Sequence, residues 1–195
     1  MPAPVIESKI HLMSRHKNII ALIAISIIIL ILYSNTFDAS WHLDDGPNIL
    51  DGTRLRLIEL NWPNIKQTFF NASERLYRPV PRLSFALNYY FGKDNIFGYH
   101  LVNITVHILT GFFLFLFIRE TLNLPSLKGK YAKTSCLIAL LSAILWALNP
   151  VQTQAVTYNV QRMACMAGLF YITAMYCYVK GRTSVTRQQS IIYFM

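Results

Sequence analysis

The sequence predicts an all-α, polytopic membrane protein, on three observations. Of the 195 residues, 54% are hydrophobic and only 14% are charged. The apolar residues are bunched into runs of spanning length instead of being spread through the chain, which is the membrane pattern. The basic residues flank those runs, so the net charge of +9 reads as a topology signal and a source of phosphate contacts. A soluble nucleic-acid module is excluded by runs of this length, and no nucleic-acid partner is expected.

Residues 1–17 form a polar arm with Lys9, Arg15, His16 and Lys17 ahead of the first apolar run. That run is longer and more uniformly Ile/Leu than a signal-peptide core, and no Ala-x-Ala site follows it. Residues 18–37 therefore read as a first span, about 20 residues or roughly 30 Å of helix. Residues 38–97 form a long polar loop carrying Asp38, Asp44, Asp45, Asp51, Glu59, Glu74 and Asp94. Two short amphipathic helices are legible within it. Pro63 stands in the first turn of one, and Trp62, Ile65 and Phe69 share its face. The other runs from Pro81 to Phe91, with Leu83, Ala86, Leu87, Tyr90 and Phe91 on one face. Their aromatic content suits the headgroup level, and packing on each other as a small core is the alternative.

Residues 98–118 are the second span. His100, Asn103 and His107 fall on one helical face near its start, where polar groups usually look into a bundle or cavity. Two histidines at this spacing can ligate a metal, but no third ligand is adjacent, so no metal site is assigned. Residues 134–148 form a third span that Asn149-Pro150 ends. Residues 162–179 form a fourth, and a fifth starts at 190. Cys136, Cys165 and Cys177 lie inside apolar runs and fit no metal motif. Lys/Arg enrichment in the arm and in the loops after the second and fourth spans places these in the cytoplasm. The acidic loop then faces the periplasm, or the lumen if the membrane is that of the ER. The chain stops as a fifth span begins, so a fragment of a larger protein is expected.

Three features share that non-cytoplasmic side: Asp44-Asp45, Tyr77-Arg78-Pro79 with Arg82, and the stretch from Asn149 to Arg162. A carboxylate there can take a proton from an acceptor hydroxyl. A guanidinium can hold a phosphate by paired hydrogen bonds as it leaves. Together they suit a sugar carried on a polyprenyl phosphate. Adjacent carboxylates also suit a divalent cation, though the sequence does not require one, and the cofactor stays unknown. The plain alternative for Asp44-Asp45-Gly46-Pro47 is a solvated turn. The plain alternative for Arg78 is an exposed charge, and for Arg162 an interfacial anchor.

Four segments in order carry a resemblance. They are Asp44-Asp45; Tyr77-Arg78-Pro79-Val80 with Leu83-Ser84-Phe85-Ala86-Leu87-Asn88-Tyr89; Gly98-Tyr99-His100-Leu101-Val102-Asn103; and Asn149-Pro150-Val151-Gln152-Thr153-Gln154-Ala155-Val156. From about Tyr33 onward the chain resembles the membrane half of the transmembrane and tetratricopeptide-repeat (TMTC) family. That family is part of the GT-C glycosyltransferases and is related to the protein O-mannosyltransferases. The resemblance implies a GT-C-like bundle that transfers a sugar from a polyprenyl- or dolichyl-phosphate donor to a hydroxyl of a protein or glycan. It implies Asp44 and Asp45 as the catalytic acids, with Asp44 as base and Asp45 orienting the acceptor or a metal, and Arg78 and then Arg162 as phosphate ligands. His100, Asn103 and Gln154 would line the cavity. Asn149, Gln152 and Gln154 stand where the family usually has two histidines and an acid, which looks closer to bacterial relatives and a bacterial inner membrane. A transporter or assembly subunit is the competing class. Its ionisable groups would sit mid-span, whereas here the acids flank the expected spans.

Overall fold

The computed structural model describes residues 3–71, 73–184 and 191–193, with residues 3–15 as backbone alone. Eight α-helices succeed one another among these: α1 Ala3–Leu32, α2 Trp62–Thr68, α3 Pro79–Gly92, α4 Ile96–Leu122, α5 Pro125–Tyr131, α6 Ser135–Ala147, α7 Gln152–Thr157 and α8 Arg162–Thr183. No strand forms among the described residues; a single bridge pairs Phe70 with Leu76. Two helical stretches are long and apolar enough to cross a bilayer, Ile96–Leu122 and Asn159–Thr183. The pair α5 and α6, bent by 94°, is a third candidate. The protein is an all-α membrane protein.

Several expected boundaries move. The first helix stops at Leu32 instead of running to 37, and Ser34–Asp38 coils into a tight turn. Its described apolar part, His16–Leu32, is correspondingly short. The second span extends beyond 118, so Glu120, expected in the loop, lies in the last turn of α4. Of a fifth span starting at Ser190, that first residue lies outside the described residues.

The chain folds as two compact units. One gathers the described parts of Met1–Leu32, Ile108–Asn149 and Gly168–Met195. In it α1 packs on α6. The buried stripe of α1 is Ala21, Ile25 and Ile29, and that of α6 is Ser135, Ala139, Ala143 and Ala147. Small side chains every fourth residue let two helix backbones approach closely, the usual device where lipid removes the hydrophobic drive. A Cβ at Gly111 would come within 3.3 Å of Ile25 Cγ2, so α4 approaches α1 closely too. Ile20, Ile23, Ile27 and Ile31 stay exposed, as expected of a helix apolar all round. At the polar end, Arg119 bonds Asn18 and Glu120, and Lys180 reaches Glu120 at 3.4 Å.

The other unit is Tyr33–His107 with Pro150–Ala167. Its core is Ile49, Leu55, Phe85, Tyr99 and Met163, with Trp41 and Val160 packed against it. Asn61 caps α2 by accepting the Asn64 N–H at 2.9 Å, and Pro63 sits in the first turn. The helices α2 and α3 pack on each other. Arg82 joins them, its Nε donating to Thr68 O at 2.7 Å and its Nη2 to Phe70 O at 3.1 Å. These are carbonyls that the end of α2 leaves without a helical partner. The buried face of α3 is consequently Pro81, Arg82, Phe85 and Ala86, one step round from the apolar face expected of it. Trp62 and Phe91 remain largely exposed.

Candidate functional site: two carboxylates beside an apolar cleft

The site lies within the second unit. Adjacent in sequence, Asp44 and Asp45 occupy opposite environments. Asp45 is 1% exposed. Its Oδ1 accepts the Val160 N–H at 2.8 Å and its Oδ2 the His42 N–H at 3.2 Å. Burial pushes its carboxyl above the usual range, while those two N–H groups and the nearby histidines His42 and His100 pull it back. Both carboxylate oxygens are thus engaged, Oδ2 closing the acidic loop on itself and Oδ1 tying it to the turn that precedes α8.

Asp44 is exposed. Its backbone is held instead: its N–H donates to the Tyr158 hydroxyl at 2.7 Å, and its C=O accepts from Asn48 N and Nδ2 at 3.1 and 2.9 Å. The turn continues as one wide helical turn over Gly46–Leu50, closed by Asp51 N–H to Gly46 O at 2.9 Å. Just before Asp44, Leu43 takes φ 38° and is 89% exposed. A left-handed, solvent-facing leucine is uncommon and marks a locally constrained loop.

His42 and Leu43 line a cleft of about 480 Å³ together with Pro150, Thr153, Gln154 and Tyr158. That volume is within the range of small-molecule sites, about 300–1,000 Å³. Thr157 also lines it, and its hydroxyl pairs with that of Thr36 at 3.1 Å. Tyr158 lines the cleft and holds Asp44 at once. Desolvation pushes the Tyr158 phenol above its usual value; the Asp44 N–H opposes this, and the Asp44 and Asp45 carboxylates add to it.

The other expected site residues divide. Gln154 lines the cleft. Arg78 is exposed, with φ 44°, capping α3; its Nη1 donates to Met163 Sδ at 2.9 Å, and its guanidinium lies 5.0 Å from the Tyr77 ring centre. Arg162 is completely buried, the largest such side chain described. Its Nε donates to Asn103 Oδ1 at 2.7 Å, Nη1 to Asn88 Oδ1 at 2.7 Å and Ser84 Oγ at 3.2 Å, and Nη2 to Tyr99 O at 2.8 Å. The guanidinium carbon lies 4.3 Å from the Phe85 ring centre. Four of the five N–H donors of the arginine fork are engaged within the protein. A phosphate at Arg162 would have to displace them, so the phosphate role expected of it is withdrawn.

Cavity lining by His100 and Asn103 is corrected likewise. Both are completely buried. His100 Nε2 bonds Ala39 O at 3.2 Å, and Asn103 Nδ2 donates to Val156 O at 3.3 Å and Tyr158 O at 3.4 Å. Asn103 and Arg162 thereby hold the backbone of the segment that carries Tyr158. Among the described residues no three His, Cys, Asp or Glu side chains converge as a metal site. Tyr158 was missed by sequence reasoning, since a tyrosine among amides and hydroxyls carries no local signal. Ser84 and Asn88, one helical turn apart on α3, were missed too, because they lie off the apolar face by which that helix was read.

Comparison with known proteins gives the same grouping. Protein O-mannosyl-transferase tmtc2 of Xenopus laevis is 35% identical over 162 residues, 77% of this chain and 18% of its own. Protein O-mannosyl-transferase TMTC2 of Homo sapiens is 33% identical over 159 residues, again 77% and 18%. The chain belongs to the TMTC family. A further TMTC relative, Protein O-mannosyl-transferase Tmtc1 of Drosophila melanogaster, is 31% identical over 173 residues, covering 84% of this chain. The chain spans about 18% of the length of these curated TMTC proteins. No family model and no solved structure matches it.

Proposed function

We propose that this chain forms part of a membrane glycosyltransferase that moves a mannosyl group from a polyprenyl- or dolichyl-phosphate donor to a Ser or Thr hydroxyl of a protein. The observation that carries the reading is the division of labour between Asp44 and Asp45. Asp45 is occupied as a loop clamp, which leaves the exposed Asp44 carboxylate, beside the cleft, for chemistry. In the step, the acceptor oxygen bonds to the sugar C1 as the C1–O bond to phosphate breaks. The hydroxyl proton passes to Asp44, and the polyprenyl phosphate leaves with the bonding pair. Arg78, exposed at the start of α3, is the ligand for that phosphate. Arg162, Asn103 and His100 are positioning residues. The apolar lining of the cleft suits the first isoprene units of the donor. The acidic loop faces the non-cytoplasmic side, with the N-terminus in the cytoplasm; the membrane is the bacterial inner membrane, or that of the ER in a eukaryote. The same names on the curated relatives support mannosyl transfer to protein.

The test is Asp44→Asn, assayed for mannose transfer from a polyprenyl-phosphate donor to a Ser/Thr peptide with the full chain in nanodiscs. The expected result is a loss of about 10²–10⁴-fold in kcat, with an unchanged thermal transition. Full activity in a folded Asp44→Asn protein would refute the assignment.

A further inference from the structure

The acidic turn separates two hollows of opposite character. His42 and Leu43, immediately before Asp44-Asp45, line the apolar cleft. Pro47 and Asn48, immediately after, line a polar groove of about 320 Å³, with Asp51, Thr53, Arg54, Asn71 and Arg82. Arg54 also lines a neighbouring hollow of about 620 Å³ bounded by Lys66, Gln67 and Glu74. The two polar hollows therefore meet at one side chain. We propose that this polar trough holds the acceptor, as an extended polypeptide segment that presents its Ser or Thr hydroxyl to Asp44. This rests on the transfer reading above and adds to it the surface that selects the acceptor.

The groove has a vacancy in its bonding. Arg82 is 9% exposed, yet no carboxylate among the described residues pairs with it. Its Nε and Nη2 are engaged by Thr68 O and Phe70 O, while Nη1 takes no acceptor among the described residues and stays open to solvent and to an occupant. A buried guanidinium gains strongly from a carbonyl or carboxylate partner. Burial and the neighbouring Arg54 charge already disfavour its charged form. The occupant must also suit Asp51, an exposed carboxylate on the same rim. A phosphate satisfies Arg82 but is repelled by Asp51. A peptide offers both a C=O for Arg82 and an N–H for Asp51, residue after residue. A glycan is the other hydroxyl-bearing candidate, and sugars favour an open aromatic face. The aromatic rings lining the trough are Tyr77, which the Arg78 guanidinium already covers at 5.0 Å, and Phe70, which is half-buried, so neither offers a fully open face. Two hollows in series also match an extended chain better than a single compact headgroup.

The experiment places a photo-crosslinking residue in the full chain, Thr53→p-benzoylphenylalanine, with Thr153→p-benzoylphenylalanine in the apolar cleft as its counterpart. The probe is a short biotinylated Ser/Thr peptide. Capture is expected at position 53, competed by unlabelled peptide, and not at 153. In parallel, Thr53→Trp fills the groove and should raise the KM for the peptide by about tenfold or more, with the KM for the donor unchanged. Peptide captured at 53 with no sugar moved would keep the trough and remove the transfer reading. Sugar moved with no capture at 53, or with equal capture at 153, would remove the trough and keep transfer. Displacement of the peptide by equimolar inorganic phosphate or free oligosaccharide would overturn the choice of a polypeptide.

Discussion

The two units bury their interiors by opposite means. In the first, the buried stripes are Ala21, Ile25 and Ile29 against Ala139, Ala143 and Ala147, and the charged groups stand at a helix end. In the second, Arg162, His100, Asn103 and Asp45 are all buried, and each is anchored to backbone or side-chain partners far away in sequence. An apolar stripe is a sum of many small contacts, so it degrades gradually when one is trimmed. A buried polar network fails sharply, because each lost partner leaves another group desolvated and unpaired. The unit that carries the acidic loop is therefore the rigid but brittle one, which suits a loop that must hold one exposed carboxylate in place.

The contrast can be broken at its strongest point first. Arg162→Met keeps the bulk over Phe85 but orphans Asn103 Oδ1 and Asn88 Oδ1 and strips the second bond from Tyr99 O. A loss of about 2–6 kcal/mol is expected, about 1–3 for each of the two side-chain acceptors left unpaired, read as a lower thermal transition and protease sensitivity within residues 33–107. A neutral result would mean that the network is not what holds the second unit.

Asp45→Asn is next, at about 1–3 kcal/mol. An amide can accept only one of the His42 and Val160 N–H groups and turns its own N–H₂ toward the other. The pH dependence has a definite sign. Because the folded carboxyl titrates above the unfolded one, the native state binds the proton more tightly. Asp45 therefore makes stability fall as pH rises from the unfolded value through the raised folded value. Stability curves of the wild type and the Asn variant should differ in slope over that window and run parallel well above it; identical slopes would show that Asp45 is not desolvated.

In the first unit Ile25→Val should cost only about 0.5–1.5 kcal/mol, measurable by the same thermal scan, and a loss as large as that of Arg162→Met would erase the contrast. The smallest change is expected from Tyr158→Phe. It removes one acceptor from the Asp44 N–H, worth about 0.5–1.5 kcal/mol at most, and less where solvent can replace it. Its clearer readout is a lowered kcat with little change in thermal transition, because Asp44 loses its tether but not its fold.

Much of the helical layout was legible in the chain. Runs of apolar residues mark the long apolar helices because hydropathy is a local sum. The faces of α4 were legible too: His100, Asn103 and His107 are all buried on one side, as their spacing requires. The face of α3 was not, because an arginine counts as polar in any pattern, while here Arg82 turns inward to reach the carbonyls at the end of α2. The end of α1 was also missed, since the expected span took in the polar Ser34, Asn35 and Thr36, which coil into a separate turn.

By itself the sequence determined where the acidic pair lies, after one apolar run and ahead of the next, and that both acids share a loop with Arg78. Its local pattern could not divide the work between Asp44 and Asp45, with Asp44 named as base only through the family resemblance, since one-residue neighbours with the same side chain carry the same local information. That division was decided by Val160, 115 positions away, whose N–H takes the Asp45 carboxylate. Arg162 follows the same rule. Its charge and its place at the start of α8 are local facts, but its withdrawal from phosphate binding follows from Ser84, Asn88, Tyr99 and Asn103 converging on it. Hydrogen bonds between groups distant in the chain form only when the tertiary fold brings donor and acceptor within about 3 Å, and no pattern along the sequence encodes that distance.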